Sequence, residues 1–461
     1  MEENKEIFEK TEEETKNELI TLLREKKYGM LRSALSEMLE ADIAAIMDTM
    51  EDEDSLKIFR ILPKDLAADV FPLLEVDDQK FIIMSLSDKE ASSIIDNLMA
   101  DDATDILEEM PANVVKKILA NASPETRKDI NHLLRYPDDS AGSIMTVEYV
   151  DLKEYMTVAD AITRIRRIGL DSETINVCYV LDNKRILKGT VALRYLLLME
   201  PDQLIGDIMN DTNIISINTM TDQEEAAQMF QKYDFTVLPV VDNEDRMVGI
   251  ITIDDVVDIL EEEATEDIEK MAAIIPTDKP YLKVGVLETY RKRMPWLLFL
   301  MISATFTGAI ITRYESALDA YIVLTSAIPM LMDTGGNAGS QASVSIIRGL
   351  SLQEIRFSNL AQVIWKEIRV AVLCGCTLAG INFIKLIAIN RIAPIIALII
   401  CLTLVLAVGF AKTMGAILPM VTARIGFDPA VMASPLITTI VDAVSLTIYF
   451  ALATQILHIA V

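Results

Sequence analysis

Two aspartates stand inside apolar stretches near the C-terminus, Asp333 in PMLMDTGGNAGSQ and Asp442 in SPLITTIVDAVSL. A carboxylate at bilayer depth costs about 3 kcal/mol or more even after local adjustment. A chain keeps one there when it faces a partner, a cavity or an ion. Each lies near residues that loosen a helix: Pro329, Gly335 and Gly336 for the first, Pro435 for the second. The combination points to a polar pathway for cations through a membrane.

A second concentration of carboxylates lies upstream, in DDVVDILEEEATEDIEKMAAI. Asp254, Asp255, Asp258, Glu261, Glu262, Glu263, Glu266 and Asp267 share one helical stretch. Like charges at i,i+4 destabilise a helix, and a charge run is ordinarily a solvated face. Here the earlier acidic pairs Asp77-Asp78, Asp101-Asp102 and Glu108-Glu109 argue for more. Two acidic domains side by side repel, and a divalent cation with oxygen ligands offsets that repulsion. The clustering favours a cation sensor over bare solubility.

The elements that must hold these groups divide into two unlike parts. From Val284 onward 12 Lys+Arg stand against 8 Asp+Glu, a net of +4; the whole chain is −28, so Met1 to Lys283 carries −32. The first part reads as acidic and soluble, with room for two ordinary domains. The second contains runs such as LLFLMISATFTGAIIT and IAPIIALIICLTLVLAVGFA, long enough to span a bilayer. Five spans fit, near 294–312, 320–347, 367–389, 392–418 and 429–457. The charged start MEENKEIFEKTEEETKNEL has no signal-peptide character, which places the N-terminus in the cytoplasm. Nine basic residues, including Lys412 and Arg424, then fall on cytoplasmic flanks, against Arg313, Lys385 and Arg391 outside. That bias agrees with an external C-terminus. The four cysteines read as reduced packing residues. His132 and His458 are too far apart in sequence to favour a His-based zinc site. Nothing calls for a nucleic-acid partner.

Six apolar patches with polar starts follow one another between Leu62 and Leu134, from LPKDLAADVFPLL to SPETRKDINHLL. Each is about one short helix and a turn, with Asp or Ser at expected N-caps. Short helices of this kind bury their faces by stacking, so a small α-solenoid is expected. The first residues read as a charged helix or a frayed tail. From 138 the pattern changes to short β-branched strands alternating with helices, and one unit is written twice: SIMTVEYVDLKEYMTVADAITRI pairs with DIMNDTNIISINTMTDQEEAAQMF.

This duplicated unit resembles a tandem pair of cystathionine-β-synthase (CBS) domains. Gly249-Ile250-Ile251-Thr252-Ile253-Asp254-Asp255 matches that family's G-h-h-T-x-x-D nucleotide motif. The resemblance implies an adenine-nucleotide site formed with Gly249, in which Thr252 meets phosphate and Asp255 meets ribose. The equivalent Gly189-Thr190-Val191-Ala192-Leu193-Arg194-Tyr195 lacks both the Thr and the Asp, so at most one site per pair is intact. The bland reading is a dimerising scaffold without nucleotide.

Three stretches of the C-terminal part, RMPWLL, DTGGNAGSQ and Pro435 to Asp442, resemble the MgtE family of magnesium channels. The order of parts is also that of the family. The organisation implied is a charged segment at 1–29, a helical N-domain at 30–137, CBS domains at 138–200 and 201–263, a connecting plug helix at 264–283 and a transmembrane pore domain at 284–461. The fold is thus multidomain: an all-α solenoid-like N-domain, an α/β CBS pair and five membrane helices. The family implies a homodimer in the plasma membrane, with a Mg2+-selective pore lined by the second and fifth spans. Its filter aspartate falls on Asp442 and its pore Asn on Asn337. Ser434 and Thr438 join the expected pore site, together with Gly336 and Asp333, at places where some members carry other residues than this Ser and Thr. Mg2+ keeps several waters when bound, so one or two carboxylates with polar oxygens suit it. Gly335, Gly336 and Gly339 permit close packing or expose carbonyls, with ordinary helix packing as the plain alternative. Asp333 either lines the inner cavity or caps a helix break. Sensor ligands are expected among Asp101, Asp102, Asp254, Asp255, Asp258 and Glu261 to Glu263. Mg2+ and a regulatory adenine nucleotide are the expected ligands.

A coupled carrier of divalent cations also needs intramembrane acids and broken helices. An aspartyl intramembrane protease is disfavoured because no Gly-x-Gly-Asp surrounds either aspartate, and no P-loop supports an ATPase. The chain therefore reads as a transporter and not as an enzyme.

Overall fold

The computed structural model describes residues 2–277, 281–315, 318, 321–432 and 434–459. It divides into two compact units, Met1–Ile259 and Leu260–Val461.

Helices open the first unit. Glu2–Arg24 is one helix, and its end is not frayed: Leu19 and Leu23 are buried in the same core as Leu31 and Leu35. The six expected units are the helices Lys64–Val70, Val76–Ser85, Asp88–Ile95, Ala100–Glu108, Ala112–Asn121 and Pro124–Leu133. Each packs on the helix two places along the chain, as a solenoid requires. Ser87 and Ser123 cap their helices through their hydroxyls, and Glu90 completes a capping box with Ser87. The helices that follow Pro63, Glu75, Met99 and Pro111 start without a side-chain cap. Their apolar faces hold them through Val70, Phe71, Ile82, Leu107 and Ile118, all buried.

The duplicated region folds as two copies of one motif. Strand β1 (Tyr149–Leu152) pairs parallel with β2 (Thr174–Leu181), which pairs antiparallel with β3 (Leu187–Ala192). Strands β4 (Ile217–Asn218), β5 (Val237–Val241) and β6 (Met247–Thr252) repeat that order. The register repeats as well: Val180 faces Gly189, Val240 faces Gly249, and each ladder shifts one residue later. A crossover helix, Val158–Ile168 or Gln223–Tyr233, covers each sheet. Tyr149, Tyr179, Leu181, Val237, Met247 and Ile250 form a shared core between the copies. After β6 a single helix runs from Ile253 to Met271 without a break, so the acidic stretch belongs to one rod.

Among the described residues, five long helices build the second unit: Val286–Arg313, Val323–Ser351, Leu360–Ala388, Pro394–Arg424 and Ser434–Leu457. Among the described residues the first, third, fourth and fifth are long and apolar enough to cross a membrane. The second has equal length, but Asp333, Asn337, Ser340 and Gln341 dilute its apolar content. It packs on the fourth and fifth helices, whose core is Leu331, Val408, Ile437, Val441 and Leu446. Lys412 is not an exposed flanking charge. It lies inside the fourth helix, twelve residues before Arg424, and is buried. Cys178 and Cys401 are buried free thiols, as the packing reading requires, whereas Cys374 and Cys376 face outward from the third helix.

Candidate functional site

Glycine brings the second, fourth and fifth helices together. A Cβ on Gly335 would meet Val441 Cγ1 at 3.0 Å and Ser445 Oγ at 3.2 Å. One on Gly336 would meet Thr438 Cγ2 at 3.0 Å, and one on Gly339 would meet Ile437 Cγ2 at 2.8 Å. A Cβ on Gly415 would run into the Gly339 carbonyl oxygen. Packing here is the first role of these glycines. Gly415→Ala is therefore expected to lower the melting temperature of the detergent-solubilised protein by several degrees, because overpacking costs roughly 1–3 kcal/mol. Gly409→Ala, at a position with open space around it, is the control and should melt like the parent. Equal melting of the two variants would remove the packing role.

The opposite face of the second helix is polar and open. Asp333, Asn337, Gln341, Ser345 and Arg348 are exposed in the single chain, while Gly335, Gly336, Ala338, Gly339, Ala342 and Ser343 are buried. Spacings of three and four place the exposed set on one stripe. Asp442, half-buried on the fifth helix, feels the charge of Asp333. Thr438 takes a different part from the one expected. Its hydroxyl donates to the Pro435 carbonyl at 2.8 Å and its methyl carbon rests near Gly336, so both ends are used in packing. The side chain of Ser434 lies outside the described residues.

In the first unit a group of acids is drawn together from three places in the chain. Asp101 and Asp102 come from the start of the helix Ala100–Glu108, and Asp254 and Asp255 from the first turn after β6. Glu148 and Glu173, which border β1 and β2, complete it. Burial, and then the neighbouring carboxylates, push Asp102 up to about 6 and Glu173 to about 7. Burial likewise pushes Asp255 to about 6, and Asp101 well above the ordinary range. Asp258 adds its charge to Asp255. Glu261, Glu262 and Glu263 continue the helix beyond this unit, and the first two are exposed. Among the described residues no three side chains of His, Cys, Asp or Glu converge as a ready metal cage.

Asp101, Asp102, Glu173 and Asp255 hold protons in the folded unit that the unfolded chain releases between about pH 4 and pH 7, so stability falls as pH rises through that window. In chelator, calorimetry of the full-length protein is expected to show its lowest transition several degrees higher at pH 5 than at pH 7.5. Millimolar Mg2+ at pH 7.5 should recover the difference, and sodium chloride at equal ionic strength should not. A transition that rises with pH would contradict the repulsive cluster.

The nucleotide motif is only partly free. Gly249 is needed by the fold itself, since its Cβ would sit 2.5 Å from the Thr146 carbonyl oxygen and 2.7 Å from Met145 Sδ. Thr252 Oγ1 donates to Asp255 Oδ2 at 2.8 Å, so the two motif side chains bond to each other. Asp255 therefore belongs both to the motif and to the acidic group.

A soluble acidic region built of a helical solenoid and a CBS pair, followed by long apolar helices that carry two aspartates, defines a multi-pass membrane transporter of cations. Residues 328–452 match the family described as divalent cation transporters, 38–139 the MgtE intracellular N domain and 205–262 the CBS domain. The chain is 37% identical over 440 residues to the magnesium transporter MgtE of Thermus thermophilus, covering 95% of this chain and 97% of that one. It is 32% identical over 444 residues to the magnesium transporter MgtE of Bacillus subtilis, covering 95% and 97%. The chain belongs to the MgtE family. Among solved structures it is similar to the soluble part of a magnesium transporter, with a TM-score of 0.52, 30% identity and coverage of 55% of this chain and 99% of that one. It is also similar to the cytosolic domain of the Mg2+ channel MgtE in complex with ATP, with a TM-score of 0.50, 38% identity and coverage of 52% and 98%. The full-length relatives are named as transporters and not as enzymes.

Proposed function

We propose that this chain is a Mg2+-selective channel that takes up magnesium and is closed by cytosolic Mg2+. In this reading it works as a homodimer in the plasma membrane, with five spans per subunit, the N-terminus inside and the C-terminus outside. The observation that carries the proposal is the stripe of Asp333, Asn337 and Gln341, exposed on the single chain beside Asp442. Lipid does not solvate such a face, so a second subunit and a water-filled axis must cover it. Two Asp442 carboxylates across that axis give a hydrated Mg2+ the charge it needs without stripping its waters. Asn337, Gly336 and Asp333 add oxygen ligands above or below the filter, and Thr438 and Ser434 shape its mouth.

The acidic group of the first unit supplies the sensor. Mg2+ bound among Asp101, Asp102, Asp254, Asp255, Glu148 and Glu173 relieves their repulsion and stabilises one arrangement of the cytosolic parts. The helix Ile253–Met271 carries that state toward the membrane unit, with Asp258 and Glu261 to Glu263 contributing charge. ATP is a regulatory ligand of the second CBS copy. ATP should give measurable heat in calorimetry, and Asp255→Ala should weaken it about tenfold or more, the usual loss for a charged hydrogen bond. Absence of heat would remove nucleotide from the account.

Growth tests the transport reading. Expression in bacteria lacking their own magnesium uptake should restore growth at micromolar Mg2+. No rescue by a chain present in the membrane would reject it.

A further inference from the structure

The last turn of the helix Ile253–Met271 carries a lysine among its acids. Lys270 Nζ lies 2.6 Å from Glu266 Oε1 and 2.7 Å from Asp428 Oδ2. The first partner is one turn back on its own helix; the second stands in the segment that leads into the fifth long helix. Asp428 is itself fixed, because its Oδ1 accepts the backbone N–H of Ala430 at 2.7 Å and so caps the 3-10 turn Pro429–Met432. One turn before Lys270, Asp267 Oδ2 accepts from Ser351 Oγ at 3.3 Å. Ser351 is the last residue of the second long helix. Met271 adds an apolar contact, packing against the buried Ile347 and Ala430. The same turn is thus fastened to the two helices that carry Asp333 and Asp442, at one end of each. The ion pair is only partly open to solvent, with side-chain exposures of 23% for Lys270 and 31% for Asp428. A partly desolvated pair holds its geometry better than a surface pair and is screened less by salt.

We infer that Lys270 is a built-in cationic latch, holding the connecting helix against the cytoplasmic ends of both pore-lining helices so that closure is partly independent of bound Mg2+. The inference rests on the channel reading and adds to it a fixed charge that occupies the position between Glu266 and Asp428. A sensor that must close over a narrow range of Mg2+ gains from such a contact, since the metal then supplies only the remaining bias. Loss of the latch shifts the balance toward the open state at every Mg2+ concentration.

The test uses the full-length protein in liposomes. Lys270→Met keeps the stem and removes the charge, and Lys270→Glu places a third acid beside Glu266 and Asp428. Both should raise the internal Mg2+ needed for half-closure, by about fivefold or more, the usual scale of coupling between two states. Lys270→Glu should have the larger effect, and the swap Lys270→Glu with Asp428→Lys should bring the midpoint back toward the parent. Hydrogen exchange provides a readout that does not need transport: amides of residues 266–271 should exchange faster in Lys270→Met and return to parent rates in the swap. A parent protein that carries no Mg2+ while exchange responds as stated would refute the channel reading and leave the latch standing. Unchanged exchange and an unchanged midpoint in Lys270→Met and Lys270→Glu would overturn the latch.

Discussion

Asp442→Asn is expected to abolish Mg2+ flux while leaving the protein folded and assembled. The substitution keeps the shape of the side chain and removes its charge. Asp442 is half-buried on the fifth helix, next to a seam closed by Gly335 and Val441, so little else has to move. A divalent cation in a low-dielectric passage loses several kcal/mol when the nearest countercharge is neutralised, and the flux should fall roughly a hundredfold or more. Asp442→Ala should behave alike and Asp442→Glu should keep part of the flux. Thr438→Val is an instructive comparison: the Thr438 hydroxyl is bonded to the Pro435 carbonyl, so its loss acts on helix geometry more than on the ion. Normal uptake by Asp442→Asn, measured in proteoliposomes against correctly assembled parent, would remove this residue from the pathway.

The second large effect concerns closure. Neutralising the cytosolic cluster with Asp102→Asn, Glu173→Gln and Asp255→Asn together should leave the channel open at Mg2+ levels that close the parent. These are three groups whose proton affinity is raised by burial and by neighbouring carboxylates, so the same positions hold the repulsion that Mg2+ is proposed to offset. Each ion contributes only through its differential affinity for the closed arrangement, and the half-closing concentration should rise about tenfold or more when several sites go. Selectivity should stay as in the parent because Asp442 is untouched. The triple variant should also lose most of the pH dependence of stability described above. Patch recordings in which it closes over the parent range would reject the sensor.

Several parts of this account can be read from the chain itself, and the physical reason is local. Asp333 and Asp442 stand out because a carboxylate in an apolar run is costly wherever the run sits. The CBS pair is legible because the same order of strands and helices, with Gly189 and Gly249 at matching places, is written twice. The stacked helices announce themselves by alternating polar starts and apolar faces. Asp101-Asp102 and Asp254-Asp255 are legible as pairs.

Other parts depend on contacts that no local pattern encodes. Glu148 and Glu173 are single acids beside strands, ordinary until β1, β2 and the helix Ala100–Glu108 meet. Thr438 is expected among the polar groups of the pore, yet its partner is a carbonyl three residues back. Lys412 reads as a flanking charge in a count of basic residues, and the helix Pro394–Arg424 encloses it. The ion pair of Lys270 with Asp428 joins a position before the first long helix to one just before the fifth. The second long helix is the clearest case: its polar residues weaken it as an apolar span, and those residues are the ones proposed to line the pore.

The most direct test of the central claim is electrical. Purified protein in liposomes containing an Mg2+-sensitive dye, with no counter-ion gradient, is held at an inside-negative potential. A channel with Asp442 in its filter should load Mg2+ down that potential, stop loading as internal Mg2+ rises, and fail to load in Asp442→Asn. Loading that requires an opposing ion gradient and ignores voltage, or that persists in Asp442→Asn, would contradict the account.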